Sequence, residues 1–343
     1  MKYARIYNAI CSVPWMIQPE KLEAFMDLLV LRIEGGHLSP EDIAGRTEHP
    51  RKDASRDVVL YALDDEEVEA SFQAADRPGK NSAKNIAVIP VYGVIMHRPS
   101  MEISSGGGFN LQQFRGQLRG AMENPSVSAI VLDVDSPGGT VDGVEEMAKE
   151  IYQARGQKKI VAVANTLAAS AAYYLASSAE ELAVTPSGEV GSIGVYTLHQ
   201  DLTAAYDQKG VKNTLIKAGK YKAEGNPWSP LDEESMTSIQ RHIDAHYDMF
   251  TRAVARNRGV GVESVRSGFG EGRTVMAKEA VKLGMADKVA TLDEVLKSLG
   301  SKGRKTDKSM HGEAENPSIQ AGSDEQPSAT YADWLRQREL EMF

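Results

Sequence analysis

The ten residues IVLDVDSPGG, 130–139, decide the fold. An apolar, β-branched run ends in Ser136-Pro137-Gly138-Gly139, and an amphipathic stretch from Val141 to Ala154 follows it. The run predicts a buried strand over 129–135; Val144, Met147, Ala148 and Ile151 recur at helical spacing and predict the helix after it. Working outward, IAVIPVYGVIM (86–96) predicts a strand or strand pair, bent or bulged at Pro90. Leu111–Met122 predicts a helix, KIVAVAN (159–165) a strand, and Ala168–Ser178 a helix. ELAVT (181–185) and IGVYTL (193–198) predict two more strands. Strand–helix alternation at this spacing implies βαβ crossovers, hence an α/β fold with a largely parallel sheet. Leu231–Arg258 and Ala277–Leu283, ended by Gly259 and Gly284, predict a helical C-terminal part.

Composition sets the boundaries. Residues 1–84 read as an N-terminal arm and linker: a helix over 19–33 with Leu22, Phe25, Met26, Leu29 and Val30 on one face, then a charged, unpatterned stretch. Residues 85–299 form the chemical domain. Residues 300–343 read as a disordered tail, rich in Ser, Gly, Lys, Glu and Pro, ending in a short helix around Trp334, Leu335 and Leu340. In the 343 residues, 48 acids against 39 bases give a net charge of −9, which argues against a dedicated nucleic-acid binder. Cys11, the single cysteine, excludes an internal disulfide and a cysteine-rich zinc site. No apolar run reaches the ~20 residues of a spanning helix. Pro14 and Asn8 break the N-terminal apolar run, so the expectation is a protein that is soluble and not exported.

Three features bear on chemistry. Gly138-Gly139 at a strand-to-helix turn can aim backbone N–H groups at a phosphate or an oxyanion, or form an ordinary βα turn; neither a GxxxxGK[ST] nor a GxGxxG pattern accompanies them. Ser170 opens a small-residue helix in AASAAYYLASSA (168–179), where a helix N-terminus favours developing negative charge; it reads as a nucleophile or as an N-cap. A serine nucleophile needs a base. None of the seven histidines falls in a Ser-His-Asp pattern, which leaves Lys217, Lys220 and Lys222 of IKAGKYKAEG (216–225), placed at the end of a predicted strand; they read otherwise as a solvated basic loop. Other clusters read more blandly. His242 and His246 lack the HExxH glutamate and a third ligand, so they are surface histidines and no metal is expected. Asp133 and Asp135 share a strand face, with Asp135 expected to fix the turn through backbone N–H groups. Ser104–Gly108 reads as a loop flanking a groove, and Trp228, Phe250 and Trp334 as packing residues.

Taken together and in order, IVLDVDSPGG, AASAAYYLAS (168–177), GEVGSIGV (188–195), IKAGKYKAEG and GRTVMAKEAVKLGMAD (272–287) resemble the signal peptide peptidase A family of Ser-Lys proteases over about residues 85–295. The resemblance implies a crotonase/Clp-protease-like fold of stacked ββα units. It makes Ser170 the nucleophile, Lys222 the general base with Lys220 as the fallback, and Ser192 the residue that orients the lysine. It puts the oxyanion on the Gly139 N–H, helped by Ala171, with Gly138 as the alternative. It also implies cofactor-free hydrolysis of extended protein segments and a homo-oligomeric ring; in single-domain members serine and lysine can come from adjacent subunits. The WMIQP stretch (15–19) with its helix, and the tail, look like phage-encoded capsid-maturation members. Those act within the immature head on scaffold and sometimes portal protein, which implies a host-cytoplasmic or prohead location. A bacterial housekeeping protease, an acyl-CoA-processing crotonase-type enzyme and an inactive capsid scaffold are the alternatives.

Overall fold

The computed structural model describes residues 13–19, 21–22, 58–62, 85–98 and 108–301. The expected arm helix over 19–33, the loop 104–107 and the tail after 301 lie wholly or mostly outside these residues. Two sheets meet at Pro137. The larger is built on four parallel strands, β3 (Asn85–Tyr92), β6 (Val127–Ser136), β8 (Lys159–Ala169) and β10 (Glu189–Gly191). β2 (Val59–Ala62) closes one edge and β11 (Thr274–Met276) the other, both antiparallel. β9 (Glu181–Val184) pairs with the first half of β8, and β12 (Lys288–Val289) pairs with β9. The smaller sheet has the order β1 (Trp15–Ile17), β7 (Gly138–Thr140), β4 (Ile95–Met96), β5 (Phe109–Asn110).

Parallel strands covered on both faces need apolar residues at successive positions, which is why 130–134 does not alternate. Ile130, Leu132 and Val134 face one apolar cluster, with Phe114, Met147, Tyr174 and Phe250. Val131 faces the second, with Ile86, Val161 and Ala183, where Leu292, Leu296 and Leu299 of α8 (Leu292–Ser301) pack. The first cluster is roofed by α1 (Leu111–Glu123), α2 (Val144–Ala154), α3 (Ala171–Ser177) and α5 (Glu233–Arg258); α4 is Thr203–Gln208. α6 (Val262–Gly268) and α7 (Ala277–Leu283) complete the helical C-terminal part.

Four local expectations are corrected. Gly138-Gly139 do not form a βα turn: the chain turns at Pro137 and lays down β7 as a second strand, so α2 begins at Val144. That β–β–helix succession is the expected ββα unit. Pro90 neither bends nor bulges β3; it lies beyond the reach of β2, where no N–H is needed from it, and the irregularity falls at Asn85/Ile86. IGVYTL is not a strand; only Tyr196 bridges, to Trp15. IKAGKYKAEG follows no strand and lies in coil and turns.

Candidate active site

The C-terminal ends of β6, β8 and β10 converge, which is where open parallel sheets bind ligands. β8 runs into Ser170, which precedes α3 with φ 56° and ψ −117°. This left-handed backbone is costly for a serine, on the order of 1–3 kcal/mol. A strand-to-helix turn of this kind presents a nucleophile at the top of a sheet. Two bonds hold it: the Ser170 N–H donates to the Gly191 carbonyl at 2.7 Å, and the Tyr174 N–H donates to the Ser170 carbonyl at 2.9 Å. Ser170 is 1% exposed, and its side chain is not hydrogen-bonded to cap the helix. Ser170 thus occupies the N-cap position of α3 without capping it through its side chain.

The far end of α3 is clamped by groups that sequence reasoning did not single out. Arg155 donates to the carbonyls of Ser177, Ser178 and Ala179 at 3.0, 2.8 and 2.6 Å. Such bonds satisfy the orphan carbonyls of a helix C-terminus. From α5, Asn257 Nδ2 donates to Ser177 Oγ at 3.2 Å and Ser178 Oγ at 2.9 Å. Phe250 stacks on Tyr174 with centroids 4.6 Å apart, worth about 0.5–1.5 kcal/mol beyond the buried area. The polar tail of ASSA gave only a weak signal for this clamp.

The glycine pair lies beside the serine. Gly138 has φ +102°, and a Cβ there would sit 3.0 Å from the Ala169 carbonyl oxygen and 2.1 Å from that of Met16. Its N–H donates to Ser136 Oγ at 3.2 Å, and Ser136 Oγ donates to the Gly93 carbonyl at 2.7 Å. Gly139 is squeezed against Ile95, whose carbonyl oxygen would lie 1.8 Å from a Cβ. Bonded pairs alternate in an antiparallel ladder, and the Gln18 N–H to Pro137 carbonyl and Val141 N–H to Pro14 carbonyl bonds flank the one between β1 and β7, so the Gly139 N–H faces the β1 edge of β7. Ala171 opens α3, and the first N–H groups of a helix have no acceptor within it. Ser136 ties the turn. Asp133 is buried and accepts from Tyr92 Oη and from Asn165 Nδ2, the latter at 3.0 Å. Asp133 is thus a satisfied structural carboxylate.

Ser192, φ 53°, follows Gly191 and donates its N–H to the Arg273 carbonyl at 2.8 Å, so it stands next to the strand end that holds Ser170. The lysines lie elsewhere. Residues 209–222 are exposed, with Ile216 at 93%. Lys220 donates to Glu234 Oε1 at 2.7 Å and to Tyr221 Oη at 2.8 Å, and the Glu234 carboxylate raises its pKa. Among the described residues no hydrogen bond joins Lys222 to Ser170. Of the residues expected in the site, the structure thus brings Ser170, the glycine pair and Ser192 together, and joins Lys222 to none of them by a hydrogen bond among the described residues. His242 is exposed and His246 half-buried on α5, Trp228 is exposed, and Phe250 is core. Among the described residues no helix is long and apolar enough to cross a membrane.

Residues 153–305 match the model of peptidase family S49. Capsid assembly protease C of Escherichia phage lambda is 34% identical over 211 residues, 62% of this chain and 48% of that protein. The head-tail preconnector protein GP5 of Enterobacteria phage P21 is 32% identical over 247 residues, 72% of this chain and 46% of that protein. The signal peptide peptidase SppA of Enterococcus faecium is 29% identical over 227 residues, 66% of each chain. A solved ClpP1 mutant from Listeria monocytogenes aligns with a TM-score of 0.39 at 15% identity, covering 61% of this chain and 94% of that one. This chain spans about half the length of the two phage proteins. The chain is thus similar to signal peptide peptidases and to a phage capsid assembly protease, and its residues 153–305 match the model of peptidase family S49.

Proposed function

We propose that this chain is a serine endopeptidase in which Ser170 is the nucleophile and Lys222 the general base. The observation that carries the reading is the strained Ser170 backbone at a strand-to-helix turn, beside a glycine strand whose outward N–H belongs to Gly139. Ser170 Oγ attacks a peptide carbonyl while neutral Lys222 Nζ takes the hydroxyl proton. The tetrahedral oxyanion rests on the N–H groups of Gly139 and Ala171. Collapse of the intermediate breaks the C–N bond, and the lysine proton goes to the leaving amine. Water, deprotonated by the same lysine, then releases the acyl group. Ser192 is the positioning residue for the lysine.

Gly139 is favoured over Gly138 because the Gly138 N–H is tied within its own turn to Ser136, whereas the Gly139 N–H faces the edge of β7 along which an extended chain can lie. Lys222 is favoured over Lys220 because a base must be neutral, and Glu234 holds Lys220 charged. The exposed apolar side chains Leu215, Ile216 and Tyr221 around Lys222 fit a subunit contact. Assembly would then bring the lysine of one subunit to the serine of the next, in a homo-oligomeric ring. The substrates are extended or unfolded protein segments. The likeness to phage lambda and P21 proteins supports a head-maturation role, on scaffold or portal protein in the host cytoplasm or prohead.

The test is purified protein on casein, with fragments read by mass spectrometry. Cleavage must vanish in both Ser170→Ala and Lys222→Ala at unchanged oligomeric state. Cleavage that survives Ser170→Ala would overturn the reading.

A further inference from the structure

The Gly139 edge of β7 is not open. β1, the segment Trp15–Ile17, lies along it antiparallel, with Trp15 opposite Thr140, Met16 opposite Gly139 and Ile17 opposite Gly138. The flanking bonds set the phase of this ladder: the Gln18 N–H donates to the Pro137 carbonyl at 3.1 Å, and the Val141 N–H donates to the Pro14 carbonyl at 3.4 Å. Bonded pairs in an antiparallel ladder alternate, so Met16 and Gly139 are the pair that exchanges both bonds. The Met16 carbonyl is therefore the acceptor for the very N–H assigned above to the oxyanion.

The other edge of β1 is held as well. The Trp15 N–H donates to the Tyr196 carbonyl at 2.8 Å, and the Tyr196 N–H donates back to the Trp15 carbonyl at 3.1 Å. The segment is thus an extended strand clamped between the glycine strand and the loop that follows Ser192. Its side chains alternate as a strand requires. Met16 is 2% exposed and joins the apolar cluster that contains Ala168, Ala171 and Ile193. Trp15 and Ile17 go to the opposite side, into a small cluster with Leu22 and Met96. Strand addition of this kind recognises a peptide by main-chain bonds, with pockets for alternate side chains giving specificity.

We propose that Pro14–Gln18 is an internal occupant of the substrate groove. It is bound in the register of a substrate, with the Met16 carbonyl at the oxyanion position and the Met16 side chain in the pocket for the residue preceding the cut. Another chain can be bound for cleavage only when this strand leaves. The same geometry assigns specificity: an unbranched apolar residue of methionine size before the scissile bond, in a segment able to lie fully extended. The inference rests on the peptidase reading of the site, but it makes a claim about binding that needs no catalysis.

The experiment uses the full chain carrying Ser170→Ala and a fluorescein-labelled peptide of the sequence VPWMIQ, read by anisotropy. A groove filled by its own strand weakens apparent affinity by the fraction left open. Met16→Asp, which puts a carboxylate in an apolar pocket, and Trp15→Pro, which removes a clamping N–H, should each tighten peptide binding by about 10-fold or more. Unchanged affinity in folded forms of both variants would overturn the proposal. If a substitution unfolds the chain, hydrogen exchange on the Ser170→Ala protein decides. Saturating peptide must speed exchange of the Trp15 and Met16 amides, and unchanged exchange overturns the occupancy. Casein cleavage with Ser170 intact separates the two readings. Peptide binding that tightens without any cleavage removes the peptidase and keeps the occupant; cleavage that neither variant accelerates, with unchanged peptide affinity, removes the occupant and keeps the peptidase.

Discussion

Ser170 and Lys222 sit in opposite physical surroundings. The serine stands at the end of a central strand, on a helix whose residues are all buried and whose C-terminus is clamped by Arg155 and Asn257. The lysine stands in a segment without regular structure, amid side chains that face solvent. A nucleophile needs geometry held to fractions of an ångström, and only a packed core can hold a strained backbone in place. A general base must also lose its charge, which takes burial, and the loop around Lys222 has none in the single chain. The contrast teaches that the core of one chain can hold a strained serine in place, while the exposed segment around Lys222 has no packing to position its side chain.

The sharpest way to break this comparison is Ser170→Ala. Casein turnover should fall by about 10⁴-fold or more with no change in circular dichroism. Lys222→Ala should cost about 10³-fold or more. Mixing inactive Ser170→Ala with inactive Lys222→Ala before assembly should restore activity to about a quarter of wild type, because a head-to-tail ring then pairs an intact serine with a neighbour's intact lysine at random. No recovery on mixing would place the two groups in one subunit.

On the buried side, Arg155→Ala strips three carbonyls at the end of α3 of their charged donor. Stability should drop by about 2–3 kcal/mol in urea unfolding, and turnover should drop with it as Ser170 loosens. Asp287 gives a pH-dependent check on the same packing. Burial pushes its carboxyl up, but the Arg258 guanidinium and the Leu182 N–H outweigh that and hold it below the ordinary value. A depressed folded pKa stabilises above the unfolded value of ~3.9 and stops doing so as pH falls through the folded value. Asp287→Asn should therefore cost about 1 kcal/mol at pH 7, a figure trimmed because Asp287 is partly exposed, and the gap to wild type should close in acid below about pH 4. The smallest effect belongs to the exposed side. Lys220→Gln breaks only a solvated pair with Glu234 and should change turnover by less than about 3-fold. A larger loss would move the base from Lys222 to Lys220.

Much of the scaffold was legible in the chain because its signals are local. Continuous apolar runs at 130–134 and 160–164 can be satisfied only between two covering layers, and Gly259 and Gly284 end their helices through left-handed backbones at φ 67° and 81°. What misled was equally local. Gly138-Gly139 carry no strand propensity, yet they form β7 because Ile95 and Met16 press on both sides of a backbone that has no Cβ to resist them. IGVYTL has strong strand propensity, yet it bridges only at Tyr196 because that is as far as Trp15 reaches.

From the order of its residues alone, this protein's parallel α/β core, its helical C-terminal part and the candidacy of Ser170 could be named, since periodicity is a property of the chain; Gly139 and Lys222 are singled out from their neighbours by what the family resemblance implies. Tertiary structure alone decided that Ser170 is held strained and does not cap α3 through its side chain, that Gly138 gives its N–H to Ser136, and that Gly139 pairs with Met16, more than 120 residues upstream. The physical reason is the same in each case. A backbone bond between distant segments is worth making only where burial brings them together, and no local pattern records which distant partner will arrive.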